Sequence, residues 1–530
     1  MIDKERGRVV YFLLALLMLF ELVVLFVRSG SFPGISKRTD ILKAYASAAL
    51  EDIRIIPGDI LDRNGDPVVE NRIDIVETED AEDQKSEKTE EKRVTEYHAA
   101  RAYSQLVGFT GIRSLNINAD TPEDAVGGRR DYRLMRFLDD AYWDPNGLYS
   151  TVDSEGTKGQ SAVLTVDNGL QEAVYDAMLA EIDDRTETGS AVVLDAKTGE
   201  ILSMVAFPAY DFNDVGTAMK EMKEAEEELK LEPSDPVSYK NPEVPGSIFK
   251  VLMSVALIDH DMEDFAVKNK EYVVNGWKCG PTSFHFDEIS LDEGDTVDLS
   301  TALKTSANVY FAKAAIALGE KALNETAAGF MFTEKGEEEA HSGQGFLLDC
   351  GNVPFSWNLD VERDVLAQTG MGQGRTEMTA LQAAMIAQAI ANDGKMMKPY
   401  VIRSLADANG KTVYEGAPEL LSEATGKETA DKVTAMMAET ALINSARHDL
   451  TEVHDLFAQY GVAGKTGTGE VPVLDENGEI VLKNNAWFMS FAPADDPQYV
   501  VVVNQCRTDK SGYEVMPVAA EIYKYLFEKY

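Results

Sequence analysis

A chain of 530 residues, 44% hydrophobic and 27% charged, is globular in composition and too long for one ordinary domain, so two or three of roughly 100 to 200 residues are expected. Its 91 acidic against 50 basic residues give a formal net charge of -41, a surface that repels nucleic acid and anionic lipid and excludes nucleic acid as a partner. Cys279, Cys350 and Cys506 have no zinc spacing and leave at least one thiol unpaired, and there is no His-Glu-x-x-His, glycine-rich phosphate loop or heptad run, so no cofactor or metal is called for.

In chain order, a short tail (1–8) precedes VVYFLLALLMLFELVVLFV at 9–27, close to the roughly 20 apolar residues that span a bilayer. Arg28 follows at once without a small-residue cleavage site, which predicts an uncleaved single-pass signal anchor. Lys4, Arg6 and Arg8 on one side balance Arg28, Lys37 and Arg38 on the other, so charge leaves the orientation open. Glu21 inside the span either snorkels or faces a polytopic membrane partner.

Next, RIIPGDILDRNGDPVVE places Arg63-Asn64-Gly65-Asp66 after an apolar run, a hairpin signal that opens a β-containing module over 40–158. Residues 77–96 are nearly all charged or polar and read as a solvated insertion that does not pack. From 159 to 530 a second domain is expected. SAVLTVDNGLQEAVYDAMLAEI gives a strand then an amphipathic helix, and GSAVVLDAKTGEILSMVAF two strands around a turn. Residues 214–232 form an acidic, solvent-exposed helix. TALQAAMIAQAIAN reads as helix, AWFMSFAPADDPQYVVVVNQ as a strand pair, and VMPVAAEIYKYLF as a terminal helix. The order implies an α/β sandwich whose sheet is assembled from both ends of the domain.

One stretch carries chemistry. In NPEVPGSIFKVLMSVALID, Pro245-Gly246 turns the chain into a helix and leaves Ser247 at its N-terminus, facing unpaired backbone N–H groups, with Lys250 one turn on. Serine is a weak nucleophile until a base takes its proton, and lysine serves only if burial or a second cation lowers its pKa. Two further tripeptides supply such chemistry: Ser306-Ala307-Asn308, which opens a helical pattern, and Lys465-Thr466-Gly467. Ser-x-x-Lys, Ser-x-Asn and Lys-Thr-Gly together mark serine acyl-transfer enzymes that react with β-lactams. Each is weak alone, since most helix-opening serines are simple caps. Ser-x-Asn recurs at Ser114 to Asn116 and Ser356 to Asn358, and Lys-Thr-Gly at Lys197 to Gly199. The last falls at a strand turn, and order and spacing select the first set.

On these motifs the chain resembles the class B penicillin-binding proteins, monofunctional peptidoglycan D,D-transpeptidases. LTVDNGLQ, AVVLDAKTGEILSMVAFPAYDFN, TGMGQGRTEMTALQAAMIAQAIANDG and AWFMSFAPADDPQYVVVV also resemble family segments, in family order. GDILDRNGDPVV resembles the start of the family's pedestal domain, although Pro57 stands where an arginine is usual. The resemblance implies an α/β transpeptidase domain of the serine β-lactamase-like fold, with a central antiparallel sheet flanked by helices. It would be preceded by a pedestal and one transmembrane helix. It further implies that Ser247 attacks the carbonyl between the terminal D-alanines of a stem peptide, with Lys250 as base, Ser306 as proton relay, Asn308 as orienter and Lys465 as second cation. Thr466 and Thr468, flanking Gly467, would hold the substrate carboxylate, and the N–H groups of Ser247 and Thr468 would form the oxyanion hole. β-Lactam antibiotics are the implied inhibitors. Residues 28–158 are too few for a glycosyltransferase domain, so a separate membrane glycan polymerase is the implied partner, and the substrate places both domains outside the cytoplasmic membrane. Gln373 and Gly374 resemble a loop near the site, with plain turn formation an equal reading. A β-lactamase, a β-lactam sensor and an idle scaffold are the competing functions. For the first, no water-activating group can be identified.

Overall fold

The computed structural model describes residues 58–79, 87–108, 161–182, 187–229, 236–332, 341–343, 346–348, 362–406, 410–474 and 478–530. The expected anchor at 9–27, Glu21, Pro57, Cys350 and the decoys at 114–116 and 356–358 lie outside them. Among the described residues no helix is long and apolar enough to cross a membrane.

Strands β1 (Ile60–Leu61), β2 (Pro67–Glu79) and β3 (Glu87–Tyr97) are followed by helix α1 (Ala100–Val107). Then come β4 (Ser161–Leu164), α2 (Asn168–Leu179), β5 (Thr188–Asp195), β6 (Ile201–Phe207) and α3 (Val215–Leu229). The 3-10 turn Gly246–Ile248 leads into α4 (Phe249–Asp259), and α5 (Leu299–Thr305) into α6 (Asn308–Leu318). After α7 (Arg363–Thr369) and α8 (Ala380–Ala391) come β7 (Ile402–Ala406), β8 (Thr412–Glu415), α9 (Lys427–Arg447) and α10 (Thr451–Tyr460). The chain closes with β9 (Ala463–Leu474), β10 (Ile480–Ala492), β11 (Tyr499–Thr508) and α11 (Met516–Glu528).

The central sheet is five-stranded and antiparallel, in the order β9-β10-β11-β5-β6, so both ends of the expected second domain do build it. Its amino-acid signature is the unbroken apolar run of β11. Val500 and Val502 enter one core while Val501 and Val503 enter the other, because successive side chains of a strand point to opposite faces. Each such valine contributes about 1.5–3 kcal/mol of burial, which is why no polar alternation survives there. On one face α2 packs through Leu170 and Val174 and α11 through Val518 and Tyr523. On the other sits α8, every residue of which is buried. Its alanines let it approach the sheet closely, and its buried Gln388 is satisfied by Ala196 O at 2.8 Å and Met397 N–H at 2.9 Å.

A second sheet has the order β8-β7-β4-β1-β2-β3, with β1 parallel to β4. The described part of the N-terminal module therefore shares a sheet with β4 and β7. At its corner the Asp62 carboxylate, fully buried, accepts from the N–H groups of Asn64, Asp66 and Asn168 at 2.8–3.1 Å. The Asn-Gly turn signal is thus used. Within the stretch read as a solvated insertion, the described parts 77–79 and 87–96 are strand, paired in register from Val69↔Tyr97 out to Glu79↔Glu87. The apolar start of β2 anchors the ladder, and backbone pairing carries it outward, with Arg72 bridged to Glu96 at 2.5 Å.

Candidate active site

Three chain segments converge at one end of the central sheet. The first is the turn before α4. Gly246 adopts φ +56°, and a Cβ there would lie 2.3 Å from Thr468 O, so both backbone shape and space demand glycine. Ser247 follows, half-buried. Lys250, on the first turn of α4, is 0% exposed because Phe249 and residues 251 to 257 are all buried around it.

The second segment is the α5–α6 junction, where the structure corrects the sequence reading of Ser306 as a helix opener. Ser306 ends α5 in the left-handed conformation (φ +53°), and Asn308 opens α6. The backbone bonds Ala307 N–H to Ala302 O (2.9 Å) and Ser306 N–H to Leu303 O (3.3 Å) close a Schellman-type cap, with serine where glycine is usual. The cap turns both the hydroxyl and the carbonyl of Ser306 toward α4.

The third segment is β9, an edge strand. Lys465, Gly467 and Gly469 share its inner face. Cβ atoms on the two glycines would meet Pro245 O at 2.5 Å and Val244 O at 2.2 Å, so their absence lets the nucleophile segment lie against the strand. Gly246 N–H in turn donates to Gly372 O at 2.8 Å, and Gln373 Nε2 to Thr468 O at 3.1 Å.

The side chains form one hydrogen-bonded chain. Ser306 Oγ lies 2.9 Å from Ser247 Oγ, 3.0 Å from Lys250 Nζ and 3.3 Å from Lys465 Nζ. Lys250 Nζ also donates to Ser306 O (2.9 Å) and Asn308 Oδ1 (2.5 Å), and it sits 5.6 Å from the Phe311 ring centroid. Lys465, 1% exposed, donates to Thr466 O at 3.0 Å. Burial pushes the Lys250 amine well below the usual lysine range, and the Lys465 charge pushes it further. Burial takes Lys465 down to about 7. Two amines in one dry site cannot both hold a proton cheaply.

All eight sequence-selected residues thus meet, though Ser306, not Lys250, is the hydrogen-bond neighbour of Ser247. Lys197-Thr198-Gly199 does fall at the β5–β6 turn, with Lys197 Nζ on Ala391 O. What the sequence did not reveal is the support beneath β9. Gly512 N–H donates to Thr468 Oγ1 at 3.1 Å, and Trp487 Nε1 to Val244 O at 3.0 Å, contacts across 44 and 243 residues for which no local pattern exists. Cys279, 6% exposed, has its thiol pKa raised by burial.

The sequence profile of the penicillin binding protein transpeptidase domain matches residues 189–528. The Peptidoglycan D,D-transpeptidase PbpA of Mycolicibacterium smegmatis is 28% identical over 432 residues, covering 77% of this chain and 78% of that protein. In fold, the crystal structure of PBPA from Mycobacterium tuberculosis matches with a TM-score of 0.65 at 21% identity, covering 89% of this chain and all of that one. The imipenem acyl-enzyme complex of penicillin-binding protein A from M. tuberculosis matches with a TM-score of 0.67 at 20% identity, covering 90% of this chain and all of that one.

Proposed function

The chain belongs to the penicillin-binding protein transpeptidase domain family as a class B penicillin-binding protein, and on that premise we propose that it is a peptidoglycan D,D-transpeptidase with Ser247 as nucleophile. The observation that carries the assignment of Ser247 is the unbroken path Ser247 Oγ, Ser306 Oγ, Lys250 Nζ, at 2.9 and 3.0 Å, ending on an amine whose pKa burial and the Lys465 charge lower well below the usual lysine range.

A neutral Lys250 has two N–H donors and one lone pair. The donors go to Ser306 O and Asn308 Oδ1, which leaves the lone pair for the Ser306 hydroxyl. As Ser247 Oγ attacks the carbonyl carbon between the two terminal D-alanines, its proton passes to Ser306 and the Ser306 proton to Lys250. The same path run backwards protonates the leaving D-alanine amine, giving the acyl-enzyme. An amine from a neighbouring stem peptide then attacks the ester, gives up its proton along the path, and restores Ser247 with the cross-link made. Gln373 Nε2 meets Thr468 O on the open edge of β9, and N–H and C=O of one strand residue point to the same side. Thr468 N–H therefore lies on that same open edge, and on this reading it makes the oxyanion hole together with the Ser247 amide. Because Thr468 Oγ1 accepts from Gly512, its own hydroxyl proton is free for the substrate carboxylate, beside Thr466, Gly467 and the Lys465 cation.

β-Lactams, which mimic that substrate, acylate the same serine. With the segment at 9–27 as anchor, the protein is a single-pass membrane protein whose catalytic domain is extracytoplasmic, and residues 40–158 form a pedestal. A separate polytopic polymerase makes the glycan. The deciding experiment labels the full-length chain with fluorescent penicillin and maps the adduct by peptide mass spectrometry. A stable adduct on Ser247 is expected. Release within seconds would make it a hydrolase, and no adduct in folded protein a scaffold.

The amine pair also sets a pH dependence. Lys465 must keep its proton and Lys250 must lack one, so acylation rises as pH climbs through the lowered Lys250 pKa. It falls as Lys465 deprotonates near about 7. Lys465→Met is expected to lower the rate and erase the alkaline limb. Between about 7 and the ordinary value of 10.5 the unfolded state binds more protons at Lys465 than the folded one, so its contribution to stability rises with pH. Melting temperatures of wild type and Lys465→Met should therefore converge toward alkaline pH. A constant gap would contradict the assignment.

A further inference from the structure

Beneath the Ser247 turn lies a buried polar cluster drawn from three distant parts of the chain: Glu243, Asn485 and Arg507. Glu243 is 7% exposed and Asn485 0%. Asn485 Nδ2 donates to Glu243 Oε2 at 3.0 Å and to Val244 O at 3.4 Å, while its Oδ1 accepts from Arg507 N–H at 3.0 Å. Arg507 Nη2 donates to Glu243 Oε1 at 3.3 Å, and Nη1 to Leu229 O, at the end of α3, at 2.9 Å. Asn241 Nδ2 adds a contact to Glu243 Oε1 at 3.4 Å. Burial raises the Glu243 pKa, and Arg507 and Asn485 oppose that.

The backbone is bent to build this cluster. The β10–β11 register steps from Asn484↔Thr508 to Ala486↔Gln505, so Asn485 faces both Cys506 and Arg507. Such a bulge re-aims a side chain. Arg507 pays for it with a left-handed backbone (φ +53°), uncommon outside glycine, asparagine and aspartate, and its displaced N–H is the one that Asn485 takes up.

We propose that Glu243, Asn485 and Arg507 are positioning residues for Ser247, holding the 243–246 segment over Gly467 and Gly469 so that the nucleophile meets Ser306 and the Thr468 amide in one geometry. The proposal rests on the transpeptidase reading above. Only Pro245 and Gly246 separate Val244 from Ser247. Proline fixes its own φ, and Gly246 is wedged against Thr468 O, so a displacement of Val244 is passed on rather than absorbed. Misplacing a reacting atom by about 1 Å costs up to about 10²-fold in rate.

Glu243→Gln in the full-length chain is the direct test. Both carboxylate oxygens accept hydrogen bonds, so an amide must turn an N–H toward Arg507 or Asn485 and push the segment away. The acylation rate at saturating penicillin is expected to fall about 10-fold to 10²-fold, with the dissociation constant of the non-covalent complex within about twofold of wild type. Arg507→Lys, which keeps the charge but loses the fork to Leu229 O, should show a smaller fall of the same kind. An unchanged saturating rate in Glu243→Gln would overturn the positioning role. So would a fall that merely follows the folded fraction. A wild type that is not acylated at Ser247 would overturn the transpeptidase reading and the positioning role with it.

Discussion

Ser247→Ala is expected to leave the full-length chain folded and without any covalent penicillin adduct, and to stop cross-linking of stem peptides. The substitution removes one half-buried hydroxyl and a single hydrogen bond, to Ser306, so melting should shift little. The loss of chemistry is total because the one neighbouring hydroxyl cannot take over. Ser306 Oγ lies within 3.0–3.3 Å of both lysine amines, but it sits on the α5–α6 cap, whereas the amides proposed for the oxyanion hole belong to the start of α4 and to β9. Without those amides an oxyanion formed from Ser306 would be unpaired. Mass spectrometry decides the matter. An adduct on Ser306 in the Ser247→Ala protein would refute this account of the site, and so would residual acylation at a rate near that of wild type.

Lys250→Met is expected to slow acylation by about 10⁴-fold, the upper range for loss of a general base, without lowering the melting temperature. The two halves of that prediction come from one fact. Lys250 is fully buried, which lowers its pKa and makes the amine a better candidate to accept a proton, and for the same reason the amine is a burden on the fold. Methionine matches the stem in length and fills the site beside Phe311. Replacing a buried ionisable group by an apolar one of similar volume is often neutral or stabilising. The bonds lost, to Ser306 O and Asn308 Oδ1, offset part of that gain. Stopped-flow acylation beside a thermal melt checks both. A rate within tenfold of wild type would remove Lys250 from the base role. A loss of rate that tracks loss of folded protein would make its role structural.

Much of the site was legible in the sequence because its determinants are local. Pro245-Gly246 before Ser247 marks a turn into a helix whatever the rest of the chain does. The four valines of β11 announce a strand buried on both faces. For the charged stretch at 77–96, composition predicts solvation but says nothing of the backbone ladder that its described parts, 77–79 and 87–96, continue outward from Val69. Ser306 misled in another way. Apolar periodicity runs on both sides of it, and only the left-handed cap separates α5 from α6.

The sequence by itself determined the chemistry on offer, a serine, two lysines, a second serine and an asparagine in family order, and a sheet built from both ends of the domain. Tertiary structure decided how these groups work. Which hydroxyl touches Ser247, how far each lysine pKa falls, and what holds the nucleophile turn over β9 all depend on contacts between residues tens to hundreds of positions apart. Hydrogen bonds and desolvation act over a few ångströms of space, and a linear pattern does not record which residues share those ångströms. Asn485 and Arg507 illustrate this: as letters they are a polar pair at the ends of two strands, and only the bulge between those strands brings them to Glu243.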